Sequence, residues 1–230
     1  MNSIGIVIPS FNELESLKKL IPECYKLIEQ RSDVTILIVD NGSTDETSIF
    51  LSNLPKHERF ILLILKENLG YGGGILAGLQ HLNTDLLSWT HADLQTDIWD
   101  ILKFDFSKFP TLFMAKGFRR GRSLGDYFFT YGMSLFVFII FRFICLDINA
   151  QPTIISRKLF EKFSNPPTDF SLDLYAFIMA KQQKANIYRQ EVFFGKRQFS
   201  HSKWNLGFRS RMKFISRTLK FGLKLKKNLT

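Results

Sequence analysis

The chain has 230 residues, of which 45% are hydrophobic, and a formal net charge of +10. This length allows one large domain or a domain with an extension, and the apolar content is sufficient for a substantial core. The two cysteines, Cys24 and Cys145, lack metal-ligand spacing, which excludes a cysteine-based zinc site and predicts buried thiols in a reducing compartment. The first residues enter a strand pattern without a basic segment, so no signal peptide is expected.

The positive charge is concentrated at one end of the chain. Residues 1–191 contain 20 Lys and Arg against 21 Asp and Glu, whereas residues 192–230 contain 11 basic residues and no acidic ones. Such a tail favours phosphate groups on a lipid, a nucleic acid or a ligand. No motif of base-stacking aromatic residues accompanies it, so we expect an anionic membrane surface and no nucleic acid.

Strand and helix patterns alternate through the first half of the chain. In chain order we predict a strand at 4–9, a helix at 13–30, a strand at 35–39, a helix start at 43–46, a strand at 61–65, a helix at 73–81 and a strand at 86–89. Continuous apolar strands separated by helices indicate a mainly parallel sheet that is covered by helices on both faces. One α/β domain is the simplest interpretation.

Two segments of the second half have a different character. Residues 127–146 are strongly apolar, but the unbroken run of fifteen residues ending at Phe141 is short for a bilayer crossing of roughly 20 residues. We expect a helix in the membrane interface or against the core, and a subunit contact in a homo-oligomer is an alternative. Residues 208–230 combine helically spaced apolar residues with many Lys and Arg. This pattern predicts a basic amphipathic helix for an anionic membrane, or a solvated helix whose apolar stripe packs on the body.

Four polar motifs follow the predicted strands. They are I-V-I-P-S-F-N-E at 6–13, I-V-D-N-G-S-T-D-E-T at 38–47, N-L-G-Y-G-G-G at 68–74 and T-H-A-D-L-Q-T-D at 90–97. Ligands bind at the carboxyl ends of strands in open α/β sheets. There the oxygens of Asp93 and Gln95 could hold Mg²⁺ or Mn²⁺, and such an ion would stabilise a departing diphosphate. The glycine-rich turn would let backbone N–H groups approach phosphate.

Three later motifs complete a pattern over residues 4–206: I-N-A-Q-P at 148–152, S-L-D-L-Y-A-F at 171–177 and S-H-S-K-W-N at 200–205. Together the motifs resemble the family 2 glycosyltransferases, most closely the dolichol- or polyprenyl-phosphate mannosyl- and glucosyltransferases. The resemblance implies a Rossmann-like GT-A domain over residues 1–207 and an inverting transfer from a UDP- or GDP-hexose to a polyprenyl phosphate. It also implies a Mn²⁺ or Mg²⁺ cofactor and a peripheral position on the cytoplasmic face of the membrane.

The resemblance also implies roles for individual residues. Those bordering the nucleotide and its diphosphate would be Pro9, Ser10, Glu13, Asp40, Asn68 and Gly73, with Asp40 hydrogen-bonding the base or ribose. Asp93 and Gln95 would hold the metal ion. A segment that closes on the donor phosphates would supply Arg197, Ser202 and Lys203.

One position departs from the family pattern, because His91 stands where relatives usually have an acid. Imidazole ligates Mn²⁺ better than Mg²⁺, so His91 as a ligand would favour Mn²⁺. The alternative is a histidine that packs beside the strand. His91 also leaves open a non-catalytic subunit that only binds a nucleotide sugar.

The nature of the acceptor decides which other residues act. A polyprenyl phosphate needs no general base, and Arg119, Arg120 and Arg122 could bind its phosphate unless they form a solvated loop. A sugar hydroxyl on a growing surface polysaccharide or lipid-linked glycan would need a carboxylate to take its proton. Asp173 is the best candidate for that base, with Asp169 behind it, although Asp173 could equally hold an arginine in place.

Overall fold

The computed structural model describes residues 3–121, 124–195, 197, 199 and 208–229, with only the backbone course given for 124–129, 208–215 and 228–229. Its centre is a seven-stranded sheet of order β3-β2-β1-β4-β6-β5-β7. The strands are β1 Ile4–Ser10, β2 Val34–Asp40, β3 Phe60–Ile64, β4 Leu86–Trp89, β5 Phe113–Arg120, β6 Thr153–Ser156 and β7 Asn186–Phe193. Strand β6 runs antiparallel to both of its neighbours, and the remaining strand pairs are parallel.

Helices connect these strands in the order that the alternating pattern predicted. In the described part of the chain they are α1 Leu14–Gln30, α2 Thr47–Ser52, α3 Gly70–His81, α4 Leu124–Phe141, α5 Arg157–Phe160, α6 Leu172–Gln182 and α7 Phe208–Leu229. Two 3-10 turns, Ile98–Lys103 and Phe106–Lys108, lie between β4 and β5. The predicted mostly parallel α/β sheet is therefore confirmed.

Each face of the sheet carries its own apolar core. On one face Ile6 and Ile8 of β1 pack with Leu17, Leu20 and Cys24 of α1. The opposite core joins the other face of β1 to α3 and α6 through a set of buried side chains that includes Val7, Ile75, Leu79, Leu174 and Ile178. Alternate residues of one strand thus enter two cores, which explains why the central strands are apolar throughout.

Helix α4 is the apolar segment predicted at 127–146, but it ends at Phe141. Arg142 adopts the left-handed conformation with φ of 61°, which stops the helix. Val137 is buried against the core, whereas Tyr131, Leu135, Phe138 and Ile139 are exposed on the outer side. Within the described residues, no helix combines the length and the apolarity that crossing a membrane requires.

Helix α7 packs on the body through its second half. The Arg217 guanidinium lies 3.0 Å from a carboxylate oxygen of Asp169. Thr218 is buried, and the backbone of Gly222 approaches the Phe136 ring of α4 so closely that a Cβ there would lie 3.1 Å from it. The second half of α7 therefore packs on the body, with Phe221 and Leu225 against the core, while Leu223 of the predicted stripe is exposed.

Candidate active site

The candidate site occupies one edge of the sheet. Strand β5 runs in the same direction as β4, because two antiparallel pairings through β6 separate them. The carboxyl ends of β1, β2, β4, β5 and β7 therefore meet at a single edge. The polar motifs after β1, β2 and β4 lie there, together with the segment that follows β7.

Asp93, Glu13 and Arg197 form a charged cluster at this edge. A guanidinium nitrogen of Arg197 donates a hydrogen bond to Glu13 and lies 3.8 Å from an Asp93 oxygen. Ser16 of α1 donates to the other Glu13 oxygen at 3.0 Å. These three residues thus form one ionic group. The resemblance had assigned them to separate roles: Glu13 to the nucleotide, Asp93 to the metal ion and Arg197 to the phosphates.

Gln95 connects the β4 loop to the segment after β7. The Gly195 backbone N–H donates to the Gln95 carbonyl at 2.8 Å, and the Gln95 side-chain amide donates to the Gly195 carbonyl at 3.1 Å. The Gln95 backbone N–H also donates to an Asp93 carboxylate oxygen at 3.2 Å. The amide of Gln95 therefore positions the backbone that leads to Arg197.

The charge of the cluster fits a divalent cation. Mg²⁺ is usually bound by one or two carboxylates together with substrate phosphates and water, so Asp93 alone is an adequate protein ligand. The Arg197 guanidinium beside Asp93 and Glu13 indicates that a positive charge is stabilised here. Among the described residues no group of three His, Cys, Asp or Glu side chains could hold a metal by itself. His91 packs its ring against Tyr71, with centroids 5.5 Å apart.

The residues after β1 and β2 use their polar groups mainly to shape the edge. The Ser10 hydroxyl is buried and donates to a β2 carbonyl at 3.2 Å, and Pro9 beside it is half-buried. Asp40 is fully buried and accepts hydrogen bonds from the Ser43 backbone N–H, at 3.0 Å, and from the Ser48 hydroxyl. Both oxygens of Asp40 therefore hold the segment after β2, one through Ser43 of the loop and the other through Ser48 of α2. The expected hydrogen bond to the base or ribose stays a prediction.

The glycine-rich turn packs closely against another loop. Helix α3 begins at Gly70, and the Gly73 backbone N–H donates to the Thr168 carbonyl at 2.8 Å. A Cβ on Gly72 would lie 2.6 Å from the Pro167 carbonyl oxygen. The glycines therefore allow close approach of the loop before α6, and one backbone N–H group of the turn, that of Gly73, is bound by this loop.

Asn68 positions the same turn from the other side. Its side-chain oxygen accepts from the Gly70 backbone N–H at 2.8 Å. The amide of Asn41, which follows β2, donates to the Gly70 carbonyl at 2.9 Å and accepts from the Leu69 backbone N–H at 3.0 Å. Two asparagines thus fix the loop between β3 and α3 against the end of β2.

Asp173 is buried at the centre of a polar network. Its exposed fraction is 2%, and it pairs with the fully buried Lys116 at 3.1 Å. It also accepts hydrogen bonds from Trp89 at 3.3 Å, from Gln151 at 3.2 Å and from the Tyr71 hydroxyl at 3.0 Å. These partners enclose Asp173, and its ion pair is with a lysine where the structural alternative expected an arginine. Its role as a general base stays a prediction.

Burial perturbs the groups around Asp173. Desolvation, reinforced by the Asp173 charge, raises the pKa of Tyr71 well above its usual value. Desolvation also lowers the pKa of Lys116, although Asp173 opposes this effect. A charged pair in this setting is held by its mutual attraction and its hydrogen bonds, so removal of one partner leaves the other poorly solvated.

Arg119 and Arg120, the last two residues of β5, pair with different carboxylates. Arg119 binds the Asp147 carboxylate, with the Arg119 Nε at 2.9 Å and exposed side-chain fractions of 12% and 4%. Arg120 pairs with Glu191 at the surface. The two side chains leave β5 on opposite faces, because successive residues of a strand alternate in direction. Their predicted contact with a lipid phosphate stays a prediction. Arg122, Ser202 and Lys203 lie outside the described residues.

Sequence reasoning missed Lys116, Tyr71 and Asn41. Lys116 is in a strand whose neighbours Met114 and Ala115 are apolar, and this context was the available signal for a buried, paired lysine. Asn41 directly follows Asp40 in the second motif. Its position after a strand could have marked it as a loop-fixing residue.

Comparison with known protein families gives a match to the first part of the chain. Residues 5–103 match the model described as Glycosyl transferase family 2. Undecaprenyl-phosphate 4-deoxy-4-formamido-L-arabinose transferases from Enterobacter sp. (strain 638) and Proteus mirabilis (strain HI4320) are 36% and 34% identical to this chain over 98 residues. Each match covers 41% of this chain and 30% of the relative, so the chain matches less than a third of the length of these relatives.

Comparison with solved structures extends the likeness to the whole fold. Glucosyl-3-phosphoglycerate synthase from Mycobacterium tuberculosis, in complex with Mn²⁺, UDP and phosphoglyceric acid, has a TM-score of 0.74 at 14% identity, covering 98% of this chain and 78% of that one. A mannosyltransferase from Pyrobaculum calidifontis, in complex with GDP-Man and Mn²⁺, has a TM-score of 0.66 at 14% identity, covering 99% and 73%. Residues 5–103 thus match the glycosyl transferase family 2 model, and the chain as a whole has the GT-A fold that its motifs predicted.

Proposed function

We propose that this chain is an inverting, metal-dependent glycosyltransferase that moves a hexose from UDP or GDP to a polyprenyl phosphate. The observation that carries the proposal is Asp93 at the carboxyl end of β4, with Arg197 beside it. A divalent cation bound at Asp93 would neutralise charge on the leaving diphosphate. Two relatives are named as undecaprenyl-phosphate sugar transferases, which supports the lipid-phosphate acceptor.

The reaction requires one displacement. An acceptor phosphate oxygen attacks the anomeric carbon on the face opposite the diphosphate, the bond from that carbon to the diphosphate oxygen breaks, and the configuration inverts. The guanidinium of Arg197 would lie at the diphosphate, where a fixed positive charge stabilises the growing negative charge. We assign Ser202 and Lys203 to the same phosphate contacts, as the resemblance implies.

The environment of Asp173 favours a phosphate acceptor over a sugar hydroxyl. A hydroxyl must lose a proton to a base within hydrogen-bond reach, whereas a phosphate oxygen is already anionic. Asp173, the best candidate for that base, is enclosed by Lys116, Trp89, Gln151 and Tyr71. It would have to leave these partners to reach a substrate.

The outer face of α4 and the lysines of α7 support docking to an anionic membrane. Tyr131 and Leu135 of α4 are 58% and 59% exposed, and Leu223 of α7 is 52% exposed. Lys220 and Lys224 are exposed on α7, which packs on α4. Apolar side chains that enter the interface beside lysines attracted to anionic headgroups are typical of peripheral membrane binding. The lipid phosphate would then be presented beside the sheet edge.

The test of function measures release of UDP or GDP from a panel of nucleotide sugars in the presence of Mn²⁺, with and without a polyprenyl phosphate. We expect release that depends on the acceptor, and Asp93→Ala should reduce it by roughly 10²–10³-fold or more. Asp97→Asn is the matched control, because Asp97 caps the following 3-10 turn through the Trp99 N–H. Full activity of Asp93→Ala would refute the proposal.

The acceptor and the membrane are tested separately. Faster transfer to a lipid-linked sugar than to polyprenyl phosphate would favour the sugar-hydroxyl alternative. Binding to phosphatidylglycerol-containing vesicles should weaken in Leu135→Ser and at high salt. Ile49→Ser, at an equally exposed position on α2, should bind as the unmodified chain does. Equal binding of all three proteins would refute docking through α4.

A further inference from the structure

Arg197 is held by two carboxylates from different strand ends. It donates to Glu13, which lies at the start of α1, and it is 3.8 Å from Asp93, which follows β4. Both carboxylates and the guanidinium are largely buried, with side-chain exposures of 13%, 13% and 20%. A partly buried group of this kind is screened less than a surface pair, so its charges interact strongly.

The backbone that carries Arg197 is anchored independently of this guanidinium. Gly195, two residues earlier, exchanges two hydrogen bonds with Gln95 of the β4 loop. The Arg197 side chain can therefore change partners while its backbone stays beside Asp93. The next side chain in the described segment, Phe199, packs under the Lys19 ammonium of α1, with 4.5 Å from the nitrogen to the ring centre.

The present arrangement does not satisfy Arg197 fully. Its Nε is buried and has no hydrogen-bond partner among the described residues. A buried donor without an acceptor is unfavourable and is rare in stable structures. Its contact with Asp93 is also longer than a hydrogen bond. The Nε of Arg197 can therefore donate to a further acceptor, and an anion would supply one.

We infer that Arg197 and the divalent cation compete for Asp93, and that Glu13 keeps Arg197 in place when the cation takes Asp93. The inference rests on the proposed function and adds a positioning role for Glu13. Two positive centres within about 4 Å of one carboxylate repel each other strongly. Arg197 must therefore turn away from Asp93 as the cation binds. The donor diphosphate then provides the acceptor oxygens that its guanidinium lacks.

Competition predicts opposite effects of one substitution on two ligands. Arg197→Gln removes the competing charge, so Mn²⁺ alone should bind about five- to tenfold more tightly than to the unmodified chain. The same substitution removes a diphosphate contact. Binding of UDP or GDP, whichever raises the melting temperature of the unmodified chain, should therefore weaken at saturating Mn²⁺. A merely structural role for Arg197 would weaken both.

The experiment is a titration of free Mn²⁺ by electron paramagnetic resonance, followed by nucleotide titration of the same samples. Arg197→Lys keeps the charge and should retain the weaker Mn²⁺ affinity. Lys26→Gln removes one positive charge from the exposed side of α1 and should leave Mn²⁺ affinity unchanged. Equal Mn²⁺ affinities of Arg197→Gln and the unmodified chain would overturn the competition and leave the proposed function intact. Absence of Mn²⁺ binding in every variant, with and without nucleotide, would overturn both.

Discussion

Neutralising Asp173 should destabilise the whole fold, because Lys116 would lose its counter-ion in a site with no exposed surface and would have to stay charged there or give up its proton. Removing one partner of a buried ion pair costs about 3–5 kcal/mol. Asp173→Asn keeps one acceptor oxygen and nearly the same shape. The loss of stability therefore reports mainly on the removed negative charge. For a chain of this size each kcal/mol lowers Tm by roughly 2–4 °C, which gives an expected loss of about 6–20 °C.

The assay is urea unfolding followed by tryptophan fluorescence, which reports on the network directly because Trp89 donates to Asp173. Asp169→Asn is the matched control, since its partner Arg217 is half-exposed and such pairs contribute about 0–1 kcal/mol. Adding Lys116→Met to Asp173→Asn should recover at least about 2 kcal/mol, because the unpaired charge is then gone. The reasoning is refuted if Asp173→Asn unfolds within about 1 kcal/mol of the unmodified chain, or if the double variant is no more stable than the single one.

Three further predictions follow from packing and charge. Gly72→Ala should destabilise the fold by about 1–3 kcal/mol, because its Cβ would press on the loop before α6. Gly132→Ala, at an open position of α4, should instead raise the free energy of unfolding by up to about 1 kcal/mol. Urea unfolding measures both. The pKa of Tyr71 is raised in the folded chain, so the unfolded chain loses this proton first as the pH rises. Above pH 10 the unmodified chain should therefore lose about 1.4 kcal/mol of stability per pH unit. Tyr71→Phe should lack this slope. Arg119→Ala should cost about 3–5 kcal/mol and Arg120→Ala less than about 1, as measured by thermal unfolding.

Each of these predictions has a clear contrary result. Equal stabilities of the two glycine variants would show that the approach of the loop before α6 is not tight. Parallel pH profiles of Tyr71→Phe and the unmodified chain would show that this hydroxyl titrates normally. A stable Arg119→Ala protein that no longer uses a polyprenyl phosphate would show that Arg119 serves to bind the lipid phosphate.

The sequence was sufficient to predict the first four strands of the sheet, for a physical reason. Strands β1, β2, β3 and β4 are apolar runs that end in polar motifs, and parallel strands separated by helices can be arranged in few ways. The order of β5, β6 and β7 was not predictable in the same way. Strand β6 has only four residues, and its antiparallel direction depends on where α4 returns the chain.

The sequence predicted where the candidate site lies better than it predicted which side chains contact each other there. The motifs correctly indicated the sheet edge, but pairings such as Lys116 with Asp173, and Arg119 with Asp147, join residues 57 and 28 positions apart. No local pattern encodes such a pairing. A charged side chain on a strand or a helix is predicted to be exposed unless its distant partner is known, which is why Asp173 of α6 was considered as a base.

The antiparallel course of β6 has a consequence for how this protein can diversify. The chain leaves the ligand edge at the end of β5, passes through α4 and re-enters the sheet at that same edge with β6. The excursion is therefore attached to the sheet at two neighbouring points, but it is also bound to the body, because Val137 is buried in the core, Asp147 pairs with Arg119 and Gln151 donates to Asp173. We therefore expect the protein to tolerate exchanges within residues 121–152 only where these three side chains are kept.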